Sequence, residues 1–449
     1  MSDSRLKESN IEWLGEIPKD WNLMPIKYGI KNSVSGDWGT DPLKKSNQKK
    51  CICLRVADFD FDKGIFKQNQ YTIRAYSQEK INQLKLQSGD ILIEKSGGGE
   101  KQPVGRAVLF DKDFSAMFAN FLVRIRTNKL LVPSFLEYYL RALYYTGSTR
   151  LYFNQTTGIQ NLKVGTLLSN EKIPNISIAL QNNITNYLNK RCKKVDDIIA
   201  KVQQEITDLE EYRKSIITKA VTKGIDKNVP IKNSGDKMIG EIAASFKLVP
   251  LKYVANYNLH TLSDDTNPDF CFKYIDIGSV TTGHINKYQK LRFADAPSRA
   301  RRLVKNNDII ISTVRTYLKA IAFIQDLQKT TVVSTGFIVL SPKKNLIDPV
   351  YLRYAIENES FISKVQAYSV GITYPAINSS TIMNFKLVYP PFNAQKEIAS
   401  YLDKKCKSIN QIIEKKRTLI NSLNQYKQSI IYEYVTGKKQ VSSEEGVKA

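Results

Sequence analysis

The sequence has few groups that could support covalent or metal chemistry. Five cysteines (51, 53, 192, 271 and 406) are scattered through 449 residues. So few, and an odd number, argues against a disulfide framework and suits a reducing cytoplasm. Cys51-Ile-Cys53 has the wrong spacing for a zinc knuckle, and His260 and His284 are the only histidines. Neither a structural zinc site nor imidazole general-base catalysis is therefore expected. Apolar runs stay well short of the ~18 residues that a membrane span needs, and residues 1–8 carry no apolar signal-peptide core. A cytoplasmic protein without a membrane partner is expected.

Catalytic motifs are also missing. Ser96-Gly-Gly-Gly-Glu-Lys101 suggests a phosphate cradle, but its glycines are consecutive and Gln102 follows the lysine. Walker A needs separated glycines and Ser or Thr after the lysine. Tyr389-Pro-Pro-Phe392 resembles part of the Asn/Asp-Pro-Pro-Tyr/Phe loop of amino-methyltransferases. Tyrosine in the first place cannot accept from an exocyclic amine, and no glycine-rich methyl-donor loop follows a strand elsewhere. A strand end followed by prolines that start a helix is the plainer reading. No catalytic residue, metal site or resident cofactor is expected.

What the chain does have is positive charge, +24 in total. Lysines number 50 against 17 arginines, and with abundant Asn and Ile this also fits an AT-rich coding bias. A surplus of this size still needs a counter-charge, and a nucleic-acid backbone is the usual one. No basic amphipathic anchor or lipidation signal favours a membrane surface instead. Hydrophobic residues at 42% and charged residues at 24% describe an ordinary globular protein with room for two or three domains.

The chain also contains a repeat. Gln181–Thr222 aligns without a gap on Gln395–Thr436, and eighteen of the 42 positions are identical. In the first copy Leu188, Val195, Val202, Leu209 and Ile216 recur every seven residues, with Cys192, Ile199 and Ile206 between them. In the second, Leu402, Ile409, Leu423 and Ile430 alternate with Cys406, Ile413 and Ile420, and only Lys416 interrupts the stripe. One apolar seam held over several heptads predicts a coiled coil about 60 Å long, each copy the natural partner of the other. A core helix beneath a globular domain is the alternative.

The duplication reaches further. Leu14-Gly-Glu-Ile17 and Pro25-Ile-Lys-Tyr28 are echoed by Ile239-Gly-Glu-Ile242 and Pro250-Leu-Lys-Tyr253. Between each opening and each helix, short apolar runs such as 91–93, 107–110 and 121–125, or 309–311, 320–324 and 336–340, read as strands. Helical patches begin at Pro133 and Pro349, each with proline in the first turn. The expected fold is α+β: two similar mixed domains over 1–177 and 239–390, long helices over 178–222 and 391–437, a linker over 223–238 and a flexible tail over 438–449. Apart from short matches such as Gly89-Asp-Ile91 with Asn307-Asp-Ile309, and Gly158-Ile159 with Gly371-Ile372, the two domains differ in residues. One scaffold carrying different surfaces suggests one task performed on two targets.

Base readout needs Arg or Lys, Asn or Gln, and aromatic or methyl contacts. Turn-rich stretches that break the strand pattern supply candidates for DNA binding. In the first half these are Lys95, Ser96, Gly97, Gly98, Lys101, Gln102, Asn154, Gln155, Thr157 and Gln160. In the second they are Thr313, Arg315, Thr316, Tyr317, Lys319 and Tyr374, with Arg299, Arg301 and Arg302 as a basic knot suited to phosphates. For each, a solvated loop residue is the plain alternative.

Together these features point to a family. Glu12-Trp-Leu-Gly-Glu-Ile-Pro-Lys-Asp-Trp21, Gly89-Asp-Ile-Leu-Ile93, Gly158-Ile-Gln-Asn-Leu162 and Pro391-Phe-Asn-Ala-Gln-Lys-Glu-Ile-Ala-Ser-Tyr-Leu-Asp403 resemble the specificity subunits of Type I restriction–modification systems, in that family's order over essentially the whole chain. The second opening departs by lacking both tryptophans. The resemblance implies two target-recognition domains, each reading half of a bipartite asymmetric site in double-stranded DNA, and an antiparallel helix pair that sets the spacing. It also implies two modification subunits, bringing S-adenosylmethionine for adenine N6 methylation, and ATP- and Mg-dependent restriction subunits, with no chemistry in this chain. A DNA-binding regulatory or architectural coiled-coil protein and a self-sufficient methyltransferase around 389–392 are the alternatives.

Overall fold

The computed structural model describes residues 6–441 except 43–47, 68–69, 157, 227, 326 and 328. Thr157 and the end of the expected tail lie outside the described residues. The chain divides into two compact units, Met1–Gln203 with Arg417–Ala449 and Gln204–Lys416. Each unit contains one mixed domain and one half of each long helix.

In the first unit the strands of the two larger sheets are β1 (Ile30–Ser35), β2 (Lys49–Leu54), β3 (Thr72–Tyr76), β4 (Asp90–Glu94), β5 (Ala107–Phe110), β6 (Ala116–Phe118) and β7 (Leu122–Thr127). They form an antiparallel sheet in the order β5-β4-β7-β1 and a smaller sheet β6-β2-β3, in which β6 runs parallel to β2. Helix α1 (Pro133–Tyr145), the hairpin of β8 (Phe153–Thr156) and β9 (Ile159–Leu162), and the long helix α2 (Ile178–Lys223) follow.

The second unit repeats this topology. The strands of its two larger sheets are β10 (Ala255–Tyr257), β11 (Cys271–Ile275), β12 (Gln289–Arg292), β13 (Ala300–Val304), β14 (Ile309–Ser312), β15 (Ile321–Phe323), β16 (Thr331–Ser334) and β17 (Phe337–Pro342). They are ordered β10-β17-β14-β15 and β12-β11-β16-β13, again with one parallel pair, β11 with β16. Strand β13 is the addition. Helices α3 (Pro349–Glu357), α4 (Glu359–Ala367) and α5 (Phe392–Val435) follow.

The residues common to the two halves are those that build this frame. Gly89 and Asn307 both take positive φ (90° and 73°), the region glycine and asparagine tolerate best. The next residue, Asp90 or Asp308, accepts a backbone N–H from three residues back, at 2.8 Å in each unit, and closes the turn into the central strand. Gln181 and Gln395, fully buried one turn into the long helices, do matching work. Their side-chain oxygens accept from Val132 N and Asp348 N at 2.8 and 2.9 Å, and their amides donate to Ile176 O and Pro390 O, each at 3.0 Å. Each glutamine ties its long helix to the segment that starts α1 or α3.

Neither long helix contains proline or glycine, and each stops at a left-handed glycine, Gly224 (φ 79°) or Gly437 (φ 76°). Within each unit the helix halves pair antiparallel. In the first, Tyr187 stacks on Tyr434 (ring centroids 4.4 Å apart) and Asp196 meets Lys427. In the second, Glu205 pairs with Lys416 at 2.5 Å and Arg213 donates to Asn410 at 2.7 Å. Leu188, Val195, Val202, Ile206, Leu402, Ile409, Ile413 and Ile430 are buried on the seam, while Ile199, Leu209, Ile216, Ile420 and Leu423 are half-buried. Each fully buried aliphatic contributes about 1.5–3 kcal/mol.

Two features correct the sequence reading. Lys416 is not the only polar interruption, because Arg213 and Lys427 also fall on the seam. They are tolerated because each finds an acceptor on the facing helix. The Lys427 ammonium is buried and also donates to Asp62 O at 2.7 Å. In addition, the stretch expected as a linker contains a strand, Ile231–Asn233, paired with Glu241–Ala243 as Leu6–Glu8 pairs with Glu16–Pro18. Part of it therefore belongs to the repeat. No helix among the described residues is long and apolar enough to cross a membrane.

Candidate nucleic-acid interface

In the first unit, the segment after β4 folds onto the β8–β9 hairpin. Leu162 N donates to Lys95 O at 2.7 Å, Gly97 N to Gln160 O at 3.1 Å, and Ser96 Oγ to Asn161 Oδ1 at 2.5 Å. The loop then closes on itself through paired N–H···O bonds between Gly99 and Gln102. Gly98 is required by space, since a Cβ there would lie 2.5 Å from Val104 N. Lys101, Gln102, Asn154 and Gln155 face solvent, and Lys95 Nζ reaches Ser35 Oγ at 3.2 Å. Gln160 does not face solvent. Its buried amide accepts from Val104 N at 3.1 Å and donates to Gln155 Oε1, so it holds the loop in place. The stretch 152–160, read from sequence as turn-rich, is largely this hairpin.

The second unit builds the same arrangement with different side chains. Ile377 N donates to Thr313 O at 2.8 Å, matching the Leu162–Lys95 bond, and the Val314–Ala376 bridge matches that between Ser96 and Asn161. Thr313 and Thr316 are buried, bonding Gly336 O and Ser369 Oγ at 2.9 and 2.8 Å. Arg315 and Lys319 bracket a short turn, both in left-handed backbone (φ 52° and 48°). Arg315 lies 5.0 Å over the Tyr374 ring, Lys319 pairs with Glu359 at 3.3 Å, and Tyr317 is exposed.

Arg299, Thr313, Arg315 and Tyr374 line one open cleft together with Asp276, Ser334 and Thr335. The guanidiniums and the carboxylate offer the donors and acceptor that base edges require, beside the aromatic ring of Tyr374. The expected basic knot is divided. Arg299 is exposed at the cleft, but Arg301 sits 4.7 Å over Phe293 beside Asp264, and Arg302 turns inward to Phe337 O. Burial pulls the Arg302 pKa below the ordinary arginine value. Consecutive residues of a strand point to opposite faces, so the neighbouring Arg301 and Arg302 of β13 could not share one surface, and Arg299 precedes the strand.

Sequence reasoning missed Asp276 and the Ser334–Thr335 turn. Neither belongs to a basic or amide-rich run, and only the fold brings them beside Arg315. Among the described residues no group of histidine, cysteine and carboxylate side chains is arranged to hold a metal. Tyr389, heading the Pro-Pro pair, donates to Leu346 O at 2.6 Å and ends a strand, the plainer of its two readings.

Comparison with known proteins agrees with this arrangement. Residues 249–425 match the family described as the Type I restriction modification DNA specificity domain. The Type I restriction enzyme MjaVIII specificity subunit of Methanocaldococcus jannaschii is 24% identical over 298 residues, 62% of this chain and 64% of that protein. The putative MjaX specificity subunit of the same organism is 23% identical over 448 residues, 97% and 98% of the two chains. A solved chain from work on complex assembly and conformational transition of the type I R-M system shares the fold, with a TM-score of 0.67 at 14% identity, covering 94% of this chain and 99% of the other. Residues 249–425 thus match a Type I DNA specificity domain, the chain is similar along its length to a putative Type I specificity subunit, and it shares the fold of the solved chain.

Proposed function

We propose that this chain is the address-bearing, non-catalytic subunit of a Type I enzyme, each unit reading one half of an asymmetric bipartite site in double-stranded DNA. The observation that carries this reading is the pair of equivalent loop platforms, 95–102 with 153–162 and 313–319 with 368–377. They are joined by one matching backbone bond and one matching bridge, and carry unlike side chains. Matching frames present a readout surface in the same way, and unlike side chains read different bases. The surplus of 24 positive charges supplies sequence-independent affinity for phosphates.

Two modification subunits would bind this chain and bring S-adenosylmethionine to an adenine flipped out of the stack. Restriction subunits would bring ATP and Mg. The long helices offer a surface for docking. Beside the seam, Ile198, Leu419 and Tyr426 in the first unit, and Tyr212 and Ile412 in the second, are large exposed apolar residues at heptad spacing along their helices. Where such residues join into one contiguous patch, they mark an interaction surface.

Exchanging residues 313–319 and 368–374 for those of a relative with a different motif tests the assignment. The recognised sequence should change in one half only. Change in both halves, or in neither, would remove one-unit-per-half reading.

A further inference from the structure

Building on the reading above, we propose that Ile159 and Ile372 act as apolar wedges that enter the DNA base stack, one in each half-site, and serve binding without encoding sequence. Within otherwise divergent platforms, Gly158-Ile159 and Gly371-Ile372 are among the few residues the two units share. Both glycines adopt left-handed backbone (φ 83° and 116°), a conformation glycine takes without strain in a tight turn. Ile372 is fully exposed at 102% and Ile159 is 52% exposed. An isoleucine this exposed contributes little to the core, and its side chain can neither donate nor accept a hydrogen bond to phosphate.

The two isoleucines stand at different points of their tips: Asn154 and Val370 pair with Asn161 and Ala376, so Gly371-Ile372 opens its turn and Gly158-Ile159 closes its own. What the platforms have in common is an exposed isoleucine at the tip, and a feature common to platforms that read different half-sites does not supply the difference between them. The setting is basic: Arg315 is bridged to the tip hairpin through Val314 and Ala376, and Lys95 and Lys101 lie on the loop paired with the other tip. Apolar side chains framed by cations suit a nucleic acid, in which phosphates meet the cations and an aliphatic side chain enters between base pairs. Isoleucine is among the residues used as such wedges, and the unstacking is compensated by the closer contact that the deformed duplex allows. Val370, 80% exposed, broadens the tip in the second unit.

The full chain, assembled with its modification subunits, is titrated with duplexes carrying 2-aminopurine at successive steps of each half-site. A scrambled duplex serves as reference. The wild-type complex should raise fluorescence at one step per half. Ile372→Ala should abolish the rise only in the half read by the second unit, and Ile159→Ala only in the other. Each should weaken cognate binding about tenfold, because the closer contact that the deformed duplex allows is lost, and leave the preferred bases unchanged. Ile372→Leu should restore both signals. Unchanged fluorescence and affinity in both alanine variants would overturn the wedge, as would altered base preference, which would make these residues readers. Failure of the alanine chains to capture modification subunits would also overturn it, since the tips would then dock protein. Those three results leave half-site reading intact. Failure of the wild-type complex to prefer the motif over the scrambled duplex would overturn both.

Discussion

Arg315 holds a left-handed backbone that costs a non-glycine residue about 1–2 kcal/mol, and its guanidinium stacks on Tyr374 at the cleft of the second unit. Strain of this kind persists where a side chain is needed in one place. Arg315→Gly should therefore raise the stability of the chain by about 1 kcal/mol in chemical denaturation. The same variant should lose about 1–3 kcal/mol of discrimination at one base pair of one half-site, measured by competition binding. A uniform loss over all sequences would make Arg315 a phosphate contact. A second residue links the fold to pH. Burial pushes the Glu137 carboxyl up to about 7, although Arg141 lies 3.5 Å away and pulls it down. The unfolded chain titrates near 4.3, so from there to about 7 the folded state holds more protons. Stability from this group is complete below the unfolded value and falls as pH rises through about 7. Glu137→Gln should flatten the slope of unfolding free energy between pH 5 and 8, whatever its effect on the absolute value.

The long helices were the most legible elements. A seam sustained over 42 residues, free of proline and glycine, leaves little choice of structure, and the strands 90–94, 107–110, 309–312 and 337–342 were visible as apolar runs. The smaller sheets were less evident. Strands such as Lys49–Leu54 and Gln289–Arg292 are short and half-exposed, so their composition resembles that of loops. Lys427 and Arg213 were hidden for a different reason: a charged residue on a seam is compensated by a facing acceptor, Asp196 or Asn410, that only the pairing of the helices reveals. The same holds for the candidate site, where Gln160 and Arg302 have the right chemistry for DNA but are turned into the fold. Gln181 and Gln395 make the strongest element-scale prediction. Replacing either with alanine leaves buried backbone groups unpaired and should cost about 1–3 kcal/mol, with equal effects at the two equivalent positions. Lys201 and Lys415 are exposed at equivalent places on α2 and α5. Reversing their charge should weaken capture of modification subunits more than DNA binding, as read by pull-down and by gel shift. Equal losses would count against helix docking.

At the scale of the whole chain, the defining property is duplication of frame without duplication of surface. Topology, turn-closing aspartates, helix-anchoring glutamines and left-handed glycines occur twice, whereas the groups displayed on the platforms differ. Such a molecule is suited to a two-part code, with the helices as the part that relates the two readings. Inserting one helical turn, about 5.4 Å, in both long helices should change the spacer tolerated between half-sites without changing either half. An unaltered spacer would mean that the helices do not set it. The central claim is that this chain alone determines which DNA sequence is modified. It is tested most directly by methylome sequencing of a host that carries the modification partner, with and without this gene. Loss of N6-methyladenine at a single asymmetric bipartite motif on deletion is the predicted result, and it would reveal both half-sites. A methylome with the same motif fully methylated in both strains would contradict the account.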